Sequence, residues 1–250
     1  AALEAIAALV ETLPDEPVLH NLRAAGYLGK GDIDSARASL QEALRVAPGD
    51  PAASTNLARM ALQQGDRDEA VRLNRDALRH HPGHPGVSLS LAQLEAEAGD
   101  RDAMRAVLRQ AVEANPQALA PRLILGRDAL SQGDARRALE LLEPVRESAA
   151  NDVQMLDLLA NAQIAAGQHA QAVNTIRALA TRTEETADNL ARLGIGFERA
   201  ASPADARRHY REALELEPDH AQALQLLGAL ELREGRHEEA LVLARRLQEV

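Results

Sequence analysis

Apolar residues recur along the chain with the period of an amphipathic helix. They fall at positions i, i+3, i+4 and i+7, as in Leu57, Met60 and Ala61 and again in Leu73 and Ala77. Glycine or proline interrupts each apolar run and marks a turn. The pattern therefore predicts an all-α chain built from short helices.

The interruptions repeat every 34 residues. Gly-Asp occurs at 31–32, 65–66, 99–100 and 133–134, and further steps reach positions 167, 201 and 235. The residue seven places before each of these positions is small: Ala24, Ala58, Ala92, Gly126, Ala160, Gly194 and Gly228. A column of small side chains lets two helices approach closely, so each repeat is predicted to be a helix hairpin.

The turn residues predict how each helix begins and ends. Glycine takes positive φ without a Cβ clash and ends the first helix, and the Asp after it is a good N-cap for the second. Ala201 stands in a glycine position, where Ser202 is predicted to be the N-cap before Pro203. In the same way, Asp50 and His84 each precede a proline and are predicted to begin the next hairpin.

This pattern resembles the tetratricopeptide repeat (TPR) along the whole chain. The resemblance implies a right-handed α-solenoid of antiparallel helix hairpins. In the family's phase, residues 1–16 are the second helix of a truncated repeat. Further repeats follow at 17–50, 51–84, 85–118, 119–152, 153–186, 187–220 and 221–250, and the last is expected to be truncated as well.

The sequence departs from the family at the fourth position of each repeat, which often holds Trp or another large residue. The residues here are His20, Ser54, Ser88, Arg122, Leu156, Leu190 and Leu224. Pro144 also lies inside a predicted second helix, where it removes a backbone hydrogen bond at a cost of roughly 3 kcal/mol unless a kink absorbs it. We therefore expect the array to deform most easily around 140–186.

The amino-acid composition limits the kinds of partner that the chain can bind and the kinds of site that it can form. The chain has 28 basic and 38 acidic residues and a net charge of −10, which argues against nucleic-acid binding. It has no cysteine, so it forms neither a disulfide nor a Cys-ligated metal site. No apolar stretch has the length of a membrane span, so direct membrane insertion is not expected.

In the TPR family, the first helix of each repeat lines a concave groove. Aliphatic positions such as Ile164 and Ile195 are expected to hold a partner's side chains there, and polar positions to bond its backbone or a carboxylate. The resemblance thus implies a scaffold that binds a peptide or a partner protein. The polar candidates are Asn21, Thr55, Arg59, Gln63, Gln93, Arg127, Asp157, Asn161, Arg199 and Arg233.

We find no sequence signature of catalysis, so the chain is predicted not to be an enzyme and to need no cofactor or metal. Gly194-Ile195-Gly196 lies within a predicted helix and is not a dinucleotide-binding loop. The histidines at 80, 81 and 84 are interpreted as part of a turn, and most other histidines are placed at repeat boundaries or on solvent faces. Two alternatives remain open: a spacer that self-associates through its ends, and the docking arm of a larger enzyme such as a glycosyltransferase.

Two segments, 114–123 and 235–248, resemble the TPR lipoproteins of the bacterial PEP-CTERM/exosortase protein-sorting and exopolysaccharide system. This resemblance implies a periplasmic scaffold that is anchored to the outer membrane in its full-length form. A cytoplasmic adaptor is the alternative.

Overall fold

A computed structural model describes residues 2–249, and this part of the chain is helical without any β-strand. The predicted all-α class is therefore confirmed. Every helix described is too short or too polar to cross a bilayer. The helices are α1 (Ala2–Thr12), α2 (Pro17–Leu28), α3 (Ile33–Val46), α4 (Pro51–Gln63), α5 (Arg67–His80), α6 (Pro85–Glu97), α7 (Arg101–Ala114), α8 (Leu119–Ser131), α9 (Ala135–Leu142), the 3₁₀ helix η1 (Glu143–Val145), α10 (Val153–Ala165), α11 (His169–Ala180), α12 (Ala187–Arg199), α13 (Pro203–Leu216), α14 (Ala221–Arg233) and α15 (His237–Glu249).

The chain divides into two compact units, an N-terminal unit up to residue 121 and a C-terminal unit from residue 122. In the N-terminal unit the most extensive contacts pair α2 with α3, α4 with α5, and α6 with α7. In the C-terminal unit they pair α10 with α11, α12 with α13, and α14 with α15. Each unit is thus built from consecutive helix hairpins, in which we call the earlier helix the first helix and the later one the second helix.

The predicted turn chemistry is confirmed at most hairpin turns. Glycines at 31, 65, 99, 133, 167 and 235 all have φ between 73° and 79°, and Ala201 takes the same left-handed conformation at φ 56°. Aspartates at 32, 66, 100 and 134 cap the second helices, because each side chain accepts a hydrogen bond from the backbone N–H three residues later. Asp50 and His84 cap α4 and α6 in the same way, each before a proline.

Ser202 corrects one of these expectations. It occupies the N-cap position of α13 before Pro203, but its side chain accepts no capping hydrogen bond. Its hydroxyl donates to Oδ2 of Asp205 at 2.8 Å instead. The guanidinium of Arg177 also donates to this carboxylate at 2.9 Å, and a hydrogen bond to an ionised carboxylate is stronger than one between neutral groups.

The column of small residues lies inside the hairpins, as predicted. Ala24, Ala58, Ala92 and Ala160 are buried. The close neighbour of Gly194, however, is a side chain and not the backbone of the partner helix, since a Cβ there would lie 2.3 Å from Cε1 of Tyr210. The column therefore makes room for a large residue of the second helix, and Tyr210 is fully buried in this space.

Pro144 was expected to lie within a second helix and to kink it, but α9 instead ends at Leu142 and a turn of 3₁₀ helix carries the proline. Arg122, only 7% exposed, donates from its guanidinium to the carbonyl of Leu141 at 2.7 Å. Desolvation lowers the pKa of this guanidinium from its ordinary value. The side chain at the fourth position of this repeat thus satisfies a carbonyl beside the interrupted helix.

A second polar feature was not predicted, namely buried polar residues at the eleventh position of three first helices. Glu95 pairs with Arg75 at 2.7 Å, and Gln163 accepts from the hydroxyl of Thr175 at 2.8 Å. Glu231, 1% exposed, is surrounded by guanidinium groups, two from the second helix α13 and one from Arg236 in the turn before α15. Each pairing joins a first helix to a second helix beside it.

We predict that two glycine-to-alanine changes in the same column have opposite effects on stability. Gly194→Ala overpacks against Tyr210 and should lower the free energy of unfolding by about 1–3 kcal/mol. Gly228→Ala places its Cβ 3.6 Å from Leu243, an ordinary contact, and should raise stability by about 0.5–1 kcal/mol through helix propensity. Urea denaturation followed by circular dichroism measures both values. A destabilised Gly228→Ala variant would contradict this account of the column.

Candidate binding cleft

Most of the predicted groove residues of the N-terminal unit use their polar side-chain atoms in hydrogen bonds to other residues of the same unit. Asn21, half-buried, donates from its amide to Oδ1 of Asp50 at 2.8 Å. The same oxygen accepts from the backbone N–H of Ala53 at 2.8 Å, so Asn21 supports the N-cap of α4. Gln63 is exposed at the end of that helix.

The other three candidates of this unit bond within their own helices. The hydroxyl of Thr55 donates to a main-chain carbonyl one turn earlier at 2.7 Å. Gln93 donates to Glu97 at 2.9 Å, and Arg59 donates to the side chain of Asn56. These contacts do not connect the candidates of one helix to those of the next.

In the C-terminal unit, by contrast, the structure brings three predicted residues together. Arg199 on α12 donates to Oδ1 of Asn161 on α10 at 2.8 Å. The amide nitrogen of Asn161 donates to the main-chain carbonyl of Asp157 at 2.8 Å and lies 3.4 Å from its carboxylate. A continuous polar border therefore joins two successive first helices.

This border flanks a cleft of about 230 Å³ between α10 and α12, which we call the first-helix cleft. The second helix α11 supplies part of its floor. Gly196 widens the cleft, because a Cβ at this position would lie 3.4 Å from Cδ1 of Ile176. The aliphatic lining residues are Ala160, Ile164, Ile176, Leu179, Leu193 and Ile195.

Arg192 also lines the first-helix cleft, and it was not among the predicted residues. It is exposed on α12, two helical turns before Arg199, and therefore lies on the same side of that helix. This seven-residue spacing was a sequence signal that could have identified it.

The remaining two candidates lie apart from this border. Arg127 is exposed on α8. Arg233 on α14 forms an ion pair with Glu198 on α12, and the hydroxyl of Tyr210 donates to the same carboxylate at 3.2 Å. Burial of the ring, followed by the neighbouring charge of Glu198, raises the pKa of the Tyr210 phenol well above its usual range.

Two of the histidines are more deeply placed than expected. His20 and His209 are buried, not exposed, because each ring bonds a main-chain carbonyl and thereby keeps its polar atoms paired. His209 also packs against Phe197 with ring centroids 4.7 Å apart. Across residues 2–249, no three His, Cys, Asp or Glu side chains are grouped so as to hold a metal ion.

Comparison with protein families agrees with this architecture. One tetratricopeptide repeat model matches residues 21–85, 123–189 and 191–249, and a second matches 61–124. The chain belongs to the tetratricopeptide repeat family. TPR proteins are generally non-catalytic scaffolds for protein–protein interaction. A search of curated proteins gives no match.

Solved structures similar to this TPR chain support the α-solenoid fold. A MamA crystal structure has a TM-score of 0.55 and 18% identity, covering 64% of this chain and 93% of that one. A tetratricopeptide repeat protein from Parabacteroides merdae has a TM-score of 0.53 and 18% identity, and the match covers 98% of this chain and 93% of that one. A chain of the APC/C hetero-tetramer Cut9-Hcn1 has a TM-score of 0.54 and 17% identity, and the match covers 90% of this chain and 45% of that one. The predicted solenoid of helix hairpins is thereby confirmed.

The buried phenol predicts how the stability of the C-terminal unit depends on pH. An unfolded chain ionises tyrosine at a pKa of about 10, whereas the folded unit holds the pKa of Tyr210 higher. The stability that Tyr210 contributes is therefore complete below pH of about 10 and is lost as the pH rises further.

Ultraviolet titration can measure this directly, because the chain has two tyrosines and no tryptophan. In a Tyr27→Phe variant, the remaining phenolate signal should appear above the ordinary range and together with loss of helical circular dichroism. Ionisation at the ordinary pKa with the helices intact would contradict the assignment.

Proposed function

We propose that this TPR chain is a non-catalytic interaction scaffold whose first-helix cleft binds an extended segment of a partner protein. The observation that carries the proposal is the polar border of Asp157, Asn161 and Arg199 beside an aliphatic floor. A border of this kind can bond a peptide backbone while the floor receives a side chain.

The groups around the cleft have complementary roles in such binding. The carboxylate of Asp157 accepts from a backbone N–H of the partner, and the guanidinium groups of Arg192 and Arg199 donate to its carbonyl oxygens. An aliphatic side chain of the partner lies over Gly196, where complete burial of a Val or Leu side chain contributes about 1.5–3 kcal/mol. Several such contacts along the segment are needed for micromolar binding, which requires about 8 kcal/mol.

The exposure of the polar groups favours binding over catalysis. Asp157, Arg192 and Arg199 are all open to solvent. Catalytic sites instead gather polar groups in a pocket from which water is excluded. The cleft is therefore suited to recognition.

Gly196→Ala tests the cleft without disturbing the fold. Its Cβ sits 3.4 Å from Ile176, so the helix tolerates it while the added methyl group occupies the cleft. Short peptides are first selected from a random displayed library on the wild-type chain, and their affinities are then measured by isothermal titration calorimetry. We expect Gly196→Ala to weaken the selected peptides about tenfold, which corresponds to about 1.4 kcal/mol.

Gly228→Ala is the matched control, because it makes the same change in α14 away from the cleft. It should leave peptide affinity unaltered. Arg199→Ala should also weaken binding, since it removes the link between α10 and α12. If all three variants bind the selected peptides as the wild type does, the first-helix cleft is not the binding site.

The cellular setting is a separate part of the proposal and is supported only by the resemblance of segments 114–123 and 235–248. On that basis we place the scaffold in a bacterial envelope system for protein sorting or exopolysaccharide export. The open reading frame that encodes this chain tests the setting. A lipidation signal upstream would support it, and a fused catalytic domain would favour the docking-arm alternative.

A further inference from the structure

The N-terminal unit carries a cleft of a second kind, which lies between successive second helices and not between successive first helices. It lies between the second helices α5 and α7, above α6, and has a volume of about 320 Å³. We call it the second-helix cleft. Its lining residues are Arg75, Leu78, Arg79, Leu91, Val107 and Gln110.

One cation of this cleft is fixed by the fold. The carboxylate of Glu95 on α6 is 7% exposed and pairs with Arg75 at 2.7 Å, while the side chain of Arg75 stays 55% exposed. A buried carboxylate requires such a partner, so Arg75 is held at the edge of the cleft. A guanidinium has five N–H donors, and those not used by Glu95 remain available to a ligand.

The second cation is free to move. Arg79 lies one helical turn after Arg75 and pairs at 3.1 Å with Asp76, in a contact that is exposed on both sides. Exposed pairs of this kind contribute little to stability, so a ligand can recruit Arg79 at small cost. The two guanidinium groups flank Leu78, which belongs to the aliphatic wall.

The charge of the lining determines which partner fits. The cleft is lined by two arginines, one glutamine and three aliphatic residues, and none of these described lining residues is acidic. Two cations thus line the cleft on a chain whose net charge is −10, each beside a carboxylate partner, Glu95 or Asp76. We infer that the second-helix cleft binds a segment of another protein that presents a carboxylate side chain next to an aliphatic one.

The C-terminal unit contains a cleft with the same frame but different charges. Four repeats after Arg75, Leu78, Leu91 and Val107, the chain places Arg211, Leu214, Leu227 and Leu243, and these line a cleft of about 420 Å³. The position of Arg79 is taken there by Glu215 and that of Gln110 by Arg246, and Glu231 and Glu239 add two further carboxylates to the lining. The repeated positions thus give both clefts similar aliphatic walls, and the residues at the edge determine the charge of each cleft.

This correspondence supplies variants that the fold tolerates. Arg79→Glu introduces the residue that the C-terminal unit carries naturally, and Glu212 already stands there in the place of Asp76. Glu215→Arg makes the reverse change. The probe is a fluorescent helical peptide with Glu and Leu on one face, compared with a counterpart in which every Glu is replaced by Gln. Fluorescence anisotropy measures the affinity of each.

We expect the acidic peptide to bind the wild-type chain about tenfold more tightly than the Gln counterpart, with an affinity that falls as salt is added. Arg79→Glu should remove this preference. Glu215→Arg should create a second site, so that the number of acidic peptides bound per chain rises from one to two. Equal binding of both peptides, or unchanged binding by Arg79→Glu, would overturn the inference.

Two further controls separate this site from the other surfaces. Gly196→Ala should leave the acidic peptide's affinity unchanged, and a loss would assign the peptide to the first-helix cleft and refute the inference. Sedimentation of the peptide-free chain should be the same for the wild type and Arg79→Glu. If Arg79→Glu changes the oligomeric state, the occupant is a second copy of the chain and the proposed heterologous partner is wrong.

Discussion

The structure depends on the close packing of the two helices within each hairpin. A small residue in the first helix leaves space that a residue of the second helix fills, as Gly194 does for Tyr210. With very few aromatic residues in the chain, most of these contacts are made by alanine and leucine. Where this packing is already filled, as at Gly194, an added methyl group is poorly tolerated, because a filled interior cannot relax without shifting a helix.

Two buried carboxylates lie where one hairpin meets the next. Glu95 and Glu231 are buried at equivalent positions, and each is neutralised by arginines of second helices. A buried carboxylate with a fixed arginine holds its neighbours in one arrangement, because separating the pair would leave an uncompensated charge. Arg122 has a comparable role beside the break at Pro144, where it donates to a main-chain carbonyl.

The same junctions produce the surfaces that can recognise other molecules. Between successive first helices, the aliphatic floor widened by Gly196 is bordered by Asp157, Asn161 and Arg199. Between successive second helices, aliphatic walls recur with edges of different charge. A repeat protein can therefore alter its recognition by exchanging exposed residues, while the buried columns keep the hairpins in place.

The sequence by itself determined the helical class and the turns, because these follow from local properties, and its 34-residue period indicated the solenoid through the family resemblance. Gly31 needs no partner to adopt positive φ, and Asp32 caps a helix that begins at the next residue. Distances between helices were decided only by the tertiary structure. They joined Arg199 to Asn161, 38 residues apart, but left Arg127 exposed on another helix. Periodicity specifies the side of a helix on which a residue lies, whereas packing specifies which side chain stands opposite.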